Sequence, residues 1–172
     1  VTIEEVAAAN NGCTTGRPHF AKTMLLKGYV SSVSEAFERY LGTPEFLEKV
    51  ERPKPTAVES IHLIQAAGGI AVLAHPSKLN LSQPEFLQLL STLCKAGLWG
   101  IEAYYSTHSP EEMAWYAEVA AQHGLFCTCG SDFHGEIIKP DIALGTGRNN
   151  SLCLPDELEC QILERFQAAL SK

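Results

Sequence analysis

The sequence lacks several features that would place it in a special class of protein. It has no run of eighteen apolar residues, so it predicts no membrane-spanning helix. Its first five residues lack the basic and apolar regions of a secretory signal peptide. Cys-x-x-Cys pairs are absent. Positive charge is also scarce: 13 basic against 20 acidic residues give a net charge of -7, which argues against sequence-independent binding of duplex DNA through its phosphates.

The composition is that of a packed globular chain. Of the 172 residues, 45% are hydrophobic and 19% are charged, which excludes wholesale disorder. The chain is too short for a closed eight-stranded α/β barrel, which needs about 250 residues. It begins at Val1 rather than at a methionine, so we expect a piece of a longer protein.

The cysteines predict a reducing compartment. We expect them to be buried free thiols of a cytoplasmic protein. Cys127 and Cys129 have the spacing of one strand face, so a metal-binding or redox pair there is the alternative interpretation. The six cysteines are Cys13, Cys94, Cys127, Cys129, Cys153 and Cys160.

The first 54 residues predict a small helical domain. Thr2 to Glu5 and Ser32 to Glu35 have the capping-box pattern that begins a helix. Pro18 and Pro44 occupy first-turn positions of two further helices. The segment Arg52-Pro-Lys-Pro55 then ends this pattern.

Residues 55–172 predict alternating strands and helices. Short apolar runs at 70–74, 99–105 and 125–129 read as strands, and the first of them as a strand buried on both faces. Their starts are separated by 29 and 26 residues, the spacing of βαβ units in a parallel sheet. An amphipathic helix at 155–170 closes the chain. The predicted fold class is therefore α/β.

Titratable side chains follow the three predicted strands. His75 follows the first, His108 the second, and Asp132 and His134 the third. Because active groups of parallel α/β proteins lie at the carboxyl ends of strands, we expect His75, Asp132 and His134 to converge. Mixed imidazole and carboxylate ligands suit Zn, Mn or Fe, and three ligands leave room for a water molecule. The alternative for Asp132 is a turn-forming residue.

Several ordered motifs resemble the PHP (polymerase and histidinol phosphatase) superfamily. They are similar in particular to its phosphoesterases related to RNase AM and to the nucleoside bisphosphate phosphatases. The resemblance covers nearly the whole chain. It rests on Gly16-Arg-Pro-His-Phe-Ala21, Gly28-Tyr-Val-Ser-Ser-Val-Ser-Glu-Ala-Phe37, Tyr40-Leu-Gly42, Gly69-Ile-Ala-Val-Leu-Ala-His75-Pro76, Gly100-Ile-Glu-Ala-Tyr104, His108-Ser-Pro-Glu111 and Gly130-Ser-Asp-Phe-His134.

The resemblance implies a fold and a cofactor. The fold is a distorted seven-stranded (β/α) barrel with a small helical insert, here residues 1–54, and residues 55–172 would be the C-terminal part of the barrel. The site holds up to three divalent metals, commonly Mn, with Zn, Fe or Mg as alternatives. Metal ligation falls on His75, Asp132 and His134, and catalytic roles fall on Asp132 and His134. The family's earlier His-x-His motif is missing from this chain, so we expect little activity from it alone.

Five further residues are candidate contacts of a substrate phosphate. Arg17 and His19 lie at a helix start, where positive charge and N–H groups favour an anion; the alternative is a solvated helix cap. Lys78 follows His75 by three residues and is therefore a candidate phosphate contact; the alternative is that it is an ordinary surface lysine. His108 lies at a strand end and alternatively helps to cap a helix. Arg148 lies in a glycine-rich loop.

The resemblance implies a metal-dependent phosphoesterase for nucleotides or short RNA ends. The partner is then a phosphorylated small molecule or an oligonucleotide end, and we expect binding to neither duplex DNA nor a membrane. A phosphatase for another monoester, such as histidinol phosphate, is one alternative, and a non-catalytic fragment is another. An exposed sheet edge would favour a homo-oligomer, or association with a missing N-terminal part.

Overall fold

The computed structural model describes residues 1–10, 15–50, 54–152, 154–155 and 157–170. Within it the chain divides into two compact units. The first unit comprises Val1–Pro53 together with His134–Pro140, and the second comprises Lys54–Phe133 together with Asp141–Lys172. The predicted division between residues 54 and 55 is close to one of these boundaries. The sequence did not predict that residues 134–140 belong to the first unit.

The described part of residues 1–50 is helical. Its elements are α1 (Ile3–Ala9), α2 (Arg17–Leu26), α3 (Val33–Ala36), a π-helical turn (Phe37–Leu41) that continues α3, and α4 (Pro44–Lys49). The capping box at Thr2 and Glu5 is present as predicted. Ala21, Val30, Val33, Ala36 and Leu41 form the buried cluster of this unit.

The second unit contains a three-stranded parallel sheet. The strands are β1 (Val72–Leu73), β2 (Gly100–Tyr105) and β3 (Phe126–Gly130), in the order β1-β2-β3. Val72 pairs with Gly100, and Gly100 pairs with Phe126. The predicted parallel arrangement is therefore confirmed. The first strand is shorter than predicted, and its two residues are half-buried rather than buried on both faces, because β1 pairs with one neighbour only in the described part of the chain.

Helices connect and follow the strands. They are α5 (Ala57–Ala66), α6 (Gln83–Lys95), α7 (Pro110–Gln122) and α8 (Leu158–Leu170). Helix α7 packs on β2, and the apolar sides of α6 and α7 share one buried cluster with that strand, formed by Leu90, Leu93, Val119, Ala120 and Ile101. No helix in the described part of the chain has the length and apolar character to cross a membrane.

A small antiparallel hairpin follows β3 and was not predicted. It consists of β4 (Ile142–Ala143) and β5 (Gly147–Arg148), joined by a turn that contains Gly145. Each strand has two residues, too few for an alternating pattern to be visible in the sequence.

Candidate active site at the carboxyl edge of the sheet

The three parallel strands bring their carboxyl ends to one edge of the second unit. Beyond β1 the chain passes through His75 into a 3₁₀ turn, Pro76–Leu79. Beyond β2 it passes through Ser106, and beyond β3 through Ser131 and Asp132. The Ser106 hydroxyl donates to the Ser131 carbonyl oxygen at 3.0 Å, which ties the ends of β2 and β3 together.

Asp132 is held by a tyrosine from the neighbouring strand. The Tyr105 hydroxyl, on a side chain only 1% exposed, donates to Asp132 Oδ2 at 2.7 Å. Burial, and then the hydrogen bond and negative charge of Asp132, raise the pKa of Tyr105 to about 12. The phenol therefore stays protonated and remains a donor at neutral pH. Asp132 itself has a left-handed backbone, with φ 60°.

His75 is exposed and has an unusual backbone. Its φ of 33° and ψ of 58° lie in the left-handed region, which costs a residue other than glycine roughly 1–2 kcal/mol. The His75 main-chain N–H donates to Glu102 Oε2 at 2.6 Å. Its ring lies 5.8 Å from the Tyr105 ring, centroid to centroid.

Tyr105 and Glu102 are site residues that sequence reasoning missed. Both lie in β2, whose partners at this edge are residues 27 positions away along the chain. The usable signal was Glu102, an acidic residue inside the otherwise apolar run Gly100-Ile-Glu-Ala-Tyr104. Charged residues are seldom buried in a strand without a partner.

His108 is a core residue in the structure. Its side chain is 6% exposed, its Nδ1 lies 2.9 Å from the Ala103 carbonyl oxygen, and its ring stacks on Tyr116 at 4.9 Å. The helix cap that we considered for it belongs to Ser109, whose hydroxyl accepts from the Glu112 N–H. These contacts are those of a packed side chain, and the assignment of His108 as a substrate contact stays a prediction.

Three of the other candidate phosphate contacts, Arg17, His19 and Arg148, have partners of their own. In the first unit, the Arg17 guanidinium donates to the Leu41 carbonyl oxygen at 3.2 Å, and His19 Nδ1 accepts from the Gly16 N–H at 3.0 Å. In the second unit, Arg148 pairs with Asp141 at 2.7 Å. Lys78 lies exposed in the 3₁₀ turn after His75. Their roles as phosphate contacts stay predictions.

The second unit contains side chains of the types that bind divalent metals. An exposed imidazole and a carboxylate that accepts a hydrogen bond from a neighbouring side chain are typical of such ligands. Among the described residues, no group of three or more His, Cys, Asp or Glu side chains could hold a metal ion. His134 belongs to the first unit. The set of His75, Asp132 and His134 therefore stays a prediction.

The cysteine pair of β3 consists of half-buried thiols. Cys127 and Cys129 take part in no disulfide, and neither does Cys94, which is also half-buried. Burial raises the pKa of the Cys127 thiol, which disfavours the thiolate that binds metals. Cys13 and Cys153 lie outside the described residues, as does the side chain of Cys160.

Comparison with known proteins finds relatives among phosphatases and exoribonucleases. It is 34% identical over 118 residues to a 3',5'-nucleoside bisphosphate phosphatase of Chromobacterium violaceum, covering 69% of this chain and 41% of that protein. It is likewise 34% identical over 126 residues to the 5'-3' exoribonuclease Rnm of Escherichia coli strain K12, covering 73% of this chain and 42% of that protein. These relatives are consistent with the PHP superfamily. The resemblance that its motifs predict is thereby confirmed.

Solved structures agree with this family. A protein of Bifidobacterium adolescentis that is proposed to be a metal-dependent phosphoesterase matches with a TM-score of 0.71 and 29% identity, over 96% of this chain and 56% of that one. An amidohydrolase of Chromobacterium violaceum matches with a TM-score of 0.65 and 29% identity, over 94% and 55%. No family model matches the chain. The chain spans less than half the length of the curated relatives it matches.

Proposed function

We propose that this chain is part of a metal-dependent phosphoesterase that hydrolyses phosphate esters of nucleotides or short RNA ends. The main support for the proposal is the arrangement at the carboxyl edge of the sheet. There the Tyr105 hydroxyl donates a hydrogen bond to Asp132, and Glu102 accepts one from the His75 main-chain N–H. The PHP relatives named above are a nucleoside bisphosphate phosphatase and an exoribonuclease, both of which cleave phosphate esters.

The finer architecture is part of the same proposal. Residues 1–54 are the helical insert, and residues 55–172 are the C-terminal part of a distorted seven-stranded barrel. The three parallel strands in sequential order support this arrangement. The rest of the barrel belongs to a longer protein or to an associated N-terminal part, and we place that protein in the cytoplasm, consistent with the free thiols.

His75, Asp132 and His134 would hold the divalent metal, with Mn²⁺ as the first choice and Zn, Fe or Mg as alternatives. When bound, such a metal activates a water molecule and neutralises charge on the phosphate. Tyr105 keeps Asp132 in position by donating to its carboxylate. Arg17, His19, Lys78, His108 and Arg148 are the proposed contacts of the substrate phosphate. Because the chain carries a net charge of -7, local positive groups such as Arg17, Lys78 and Arg148 have to overcome the overall repulsion of an anionic substrate.

The proposal is tested on the intact protein that contains this chain. With Mn²⁺, it should hydrolyse a nucleoside 3',5'-bisphosphate or a short RNA in preference to histidinol phosphate. Asp132→Ala and His75→Ala should each lower kcat/KM by more than about 100-fold, the upper end of the loss typical of residues that only support a ligand. His62→Ala, an exposed helical histidine, is the matched control.

Two results would contradict this function. A preference for histidinol phosphate would favour the alternative substrate class. Unchanged turnover in Asp132→Ala, with the metal present, would remove Asp132 from the site.

A further inference from the structure

Glu102 occupies the middle of the candidate site and has no assigned role. It lies in β2, the central strand, with β1 on one side and β3 on the other. Its side chain is half-buried and carries no Lys or Arg partner among the ion pairs of the described residues. A carboxylate in this setting needs hydrogen-bond donors to offset its desolvation.

One oxygen of Glu102 binds the backbone of His75. The His75 N–H donates to Glu102 Oε2 at 2.6 Å, a short distance that is typical of a bond to a charged acceptor. His75 has a left-handed backbone and is followed by Pro76, which restricts the residue before it. Such a conformation persists only where its surroundings hold it. Glu102 supplies one such constraint at the point where the imidazole leaves the strand.

The other oxygen of Glu102 lies against Gly130, at the end of β3. A Cβ built on Gly130 would overlap Glu102 Oε1. The missing side chain of Gly130 therefore makes the space in which the carboxylate lies. Since the overlapping atom is the end of a flexible side chain, an alanine at 130 would displace the carboxylate rather than the strand.

We propose that Glu102 is a positioning residue for His75, and that Gly130 is required because it leaves room for the Glu102 carboxylate. The inference rests on the proposed function for the role of His75 in metal binding. The contact joins all three strands: Glu102 lies within β2, His75 follows β1, and Gly130 ends β3. Glu102 acts through the His75 backbone and leaves the imidazole to the metal.

The first test measures the contact itself, without metal. In the 172-residue chain, the ¹H–¹⁵N signal of His75 reports the hydrogen bond of its amide. Glu102→Ala should move the His75 amide proton strongly upfield. Glu102→Gln, which keeps a neutral acceptor, should move it less. Gly130→Ala should reproduce the effect of Glu102→Ala, although it replaces neither partner of the bond, because its Cβ would displace the Glu102 carboxylate.

A double variant shows whether Gly130→Ala acts by displacing the Glu102 carboxylate or disturbs the structure around His75 in another way. If Gly130→Ala acts only by moving Glu102, the double variant Glu102→Ala with Gly130→Ala should give the same His75 amide shift as Glu102→Ala alone. The effects of two substitutions that remove the same interaction do not add. Glu118→Gln, in an exposed part of α7, and Gly16→Ala, where a Cβ meets only ordinary contacts, are the matched controls. Dispersed amide spectra of each variant check that it folds.

The second test measures Mn²⁺ binding by the intact protein, by calorimetric titration. Glu102→Ala and Gly130→Ala should raise the Mn²⁺ dissociation constant by about 10- to 100-fold, the effect typical of residues that support a ligand. Glu102→Gln should recover part of the affinity. An unmoved His75 amide in Glu102→Ala, or a moved amide with unchanged Mn²⁺ affinity, would overturn the inference.

His75→Ala separates this inference from the proposed function. If His75→Ala leaves the Mn²⁺ affinity unchanged, His75 is not a ligand and the metal site of the proposed function fails. If His75→Ala abolishes binding while Glu102→Ala and Gly130→Ala do not weaken it, the positioning role fails and the metal site stands.

Discussion

Tyr105 shows how one buried side chain can organise a carboxylate. Its hydroxyl donates to Asp132, and burial together with that carboxylate raises the pKa of the phenol to about 12. An exposed tyrosine ionises near pH 10. The folded chain therefore keeps the phenolic proton more tightly than the unfolded chain does. This contribution to stability is complete below about pH 10 and is lost as the pH rises through about 12.

Tyr105→Phe tests this linkage. At pH 7 the variant should lose about 1 kcal/mol of unfolding free energy, because Asp132 loses a hydrogen bond. Between about pH 10 and 12 its unfolding free energy should fall less steeply than that of the unmodified chain, because it has no phenol at this position to ionise. Urea unfolding at several pH values measures both effects.

The exposed Tyr29 supplies the control for this experiment. Tyr29→Phe should keep the steep fall between about pH 10 and 12. An equally steep fall in Tyr105→Phe would show that the phenol of Tyr105 does not contribute to the pH dependence.

At the scale of the element, helix starts follow local sequence closely. The capping box of α7 pairs the Ser109 hydroxyl with the Glu112 N–H, and the Ser109 N–H with the Glu112 carboxylate at 2.8 Å. Its counterpart in α5 pairs Thr56 with Glu59 in the same way. Because both partners are three residues apart, the pattern is visible in the sequence before any tertiary contact forms.

Helix α6 offers a matched pair of leucines that tests its buried face. Leu90 is 0% exposed in the main cluster, whereas Leu87 is 37% exposed. Leu90→Ala should lower the unfolding free energy by about 2–5 kcal/mol, because it leaves a cavity as well as losing apolar burial. Leu87→Ala should cost less than about 1 kcal/mol.

Chemical denaturation followed by circular dichroism compares the two leucine variants. Equal losses of unfolding free energy in the two variants would show that α6 does not pack through the face that contains Leu90.

At the scale of the whole molecule, the described residues contain no group of three or more His, Cys, Asp or Glu side chains that could hold a metal ion. Two-metal phosphoester chemistry needs ions about 3.5–4 Å apart, and hence more ligands than the three that we propose, His75, Asp132 and His134. In the described sheet, β3 pairs with β2 only, and an unpaired strand edge favours association with another chain.

We therefore predict that the 172-residue chain by itself has little or no phosphatase activity. Release of phosphate from a nucleoside 3',5'-bisphosphate in the presence of Mn²⁺ should not exceed that of its Asp132→Ala variant. Turnover close to that of the intact protein, and abolished by Asp132→Ala, would show that these 172 residues suffice.

The sequence by itself determined the features that depend on neighbours along the chain. The helix caps at Thr2 and Ser32, the three strands and their parallel order could all be predicted. Each is encoded within one turn of helix or by the spacing of apolar runs. The family could also be predicted, because its motifs are short and keep their order along the chain.

Only the tertiary structure decided which side chains meet at the carboxyl edge of the sheet. The contacts of Glu102 with His75 and of Tyr105 with Asp132 each join residues 27 positions apart, a separation at which local pattern carries no information about pairing. The core position of His108 depends on its contacts with the Ala103 carbonyl oxygen in β2 and with the Tyr116 ring in α7, two elements that pack on one another in the folded chain. A sequence shows which residue ends a strand, but the direction of its side chain depends on the backbone angles and on the neighbouring strands that pack beside it.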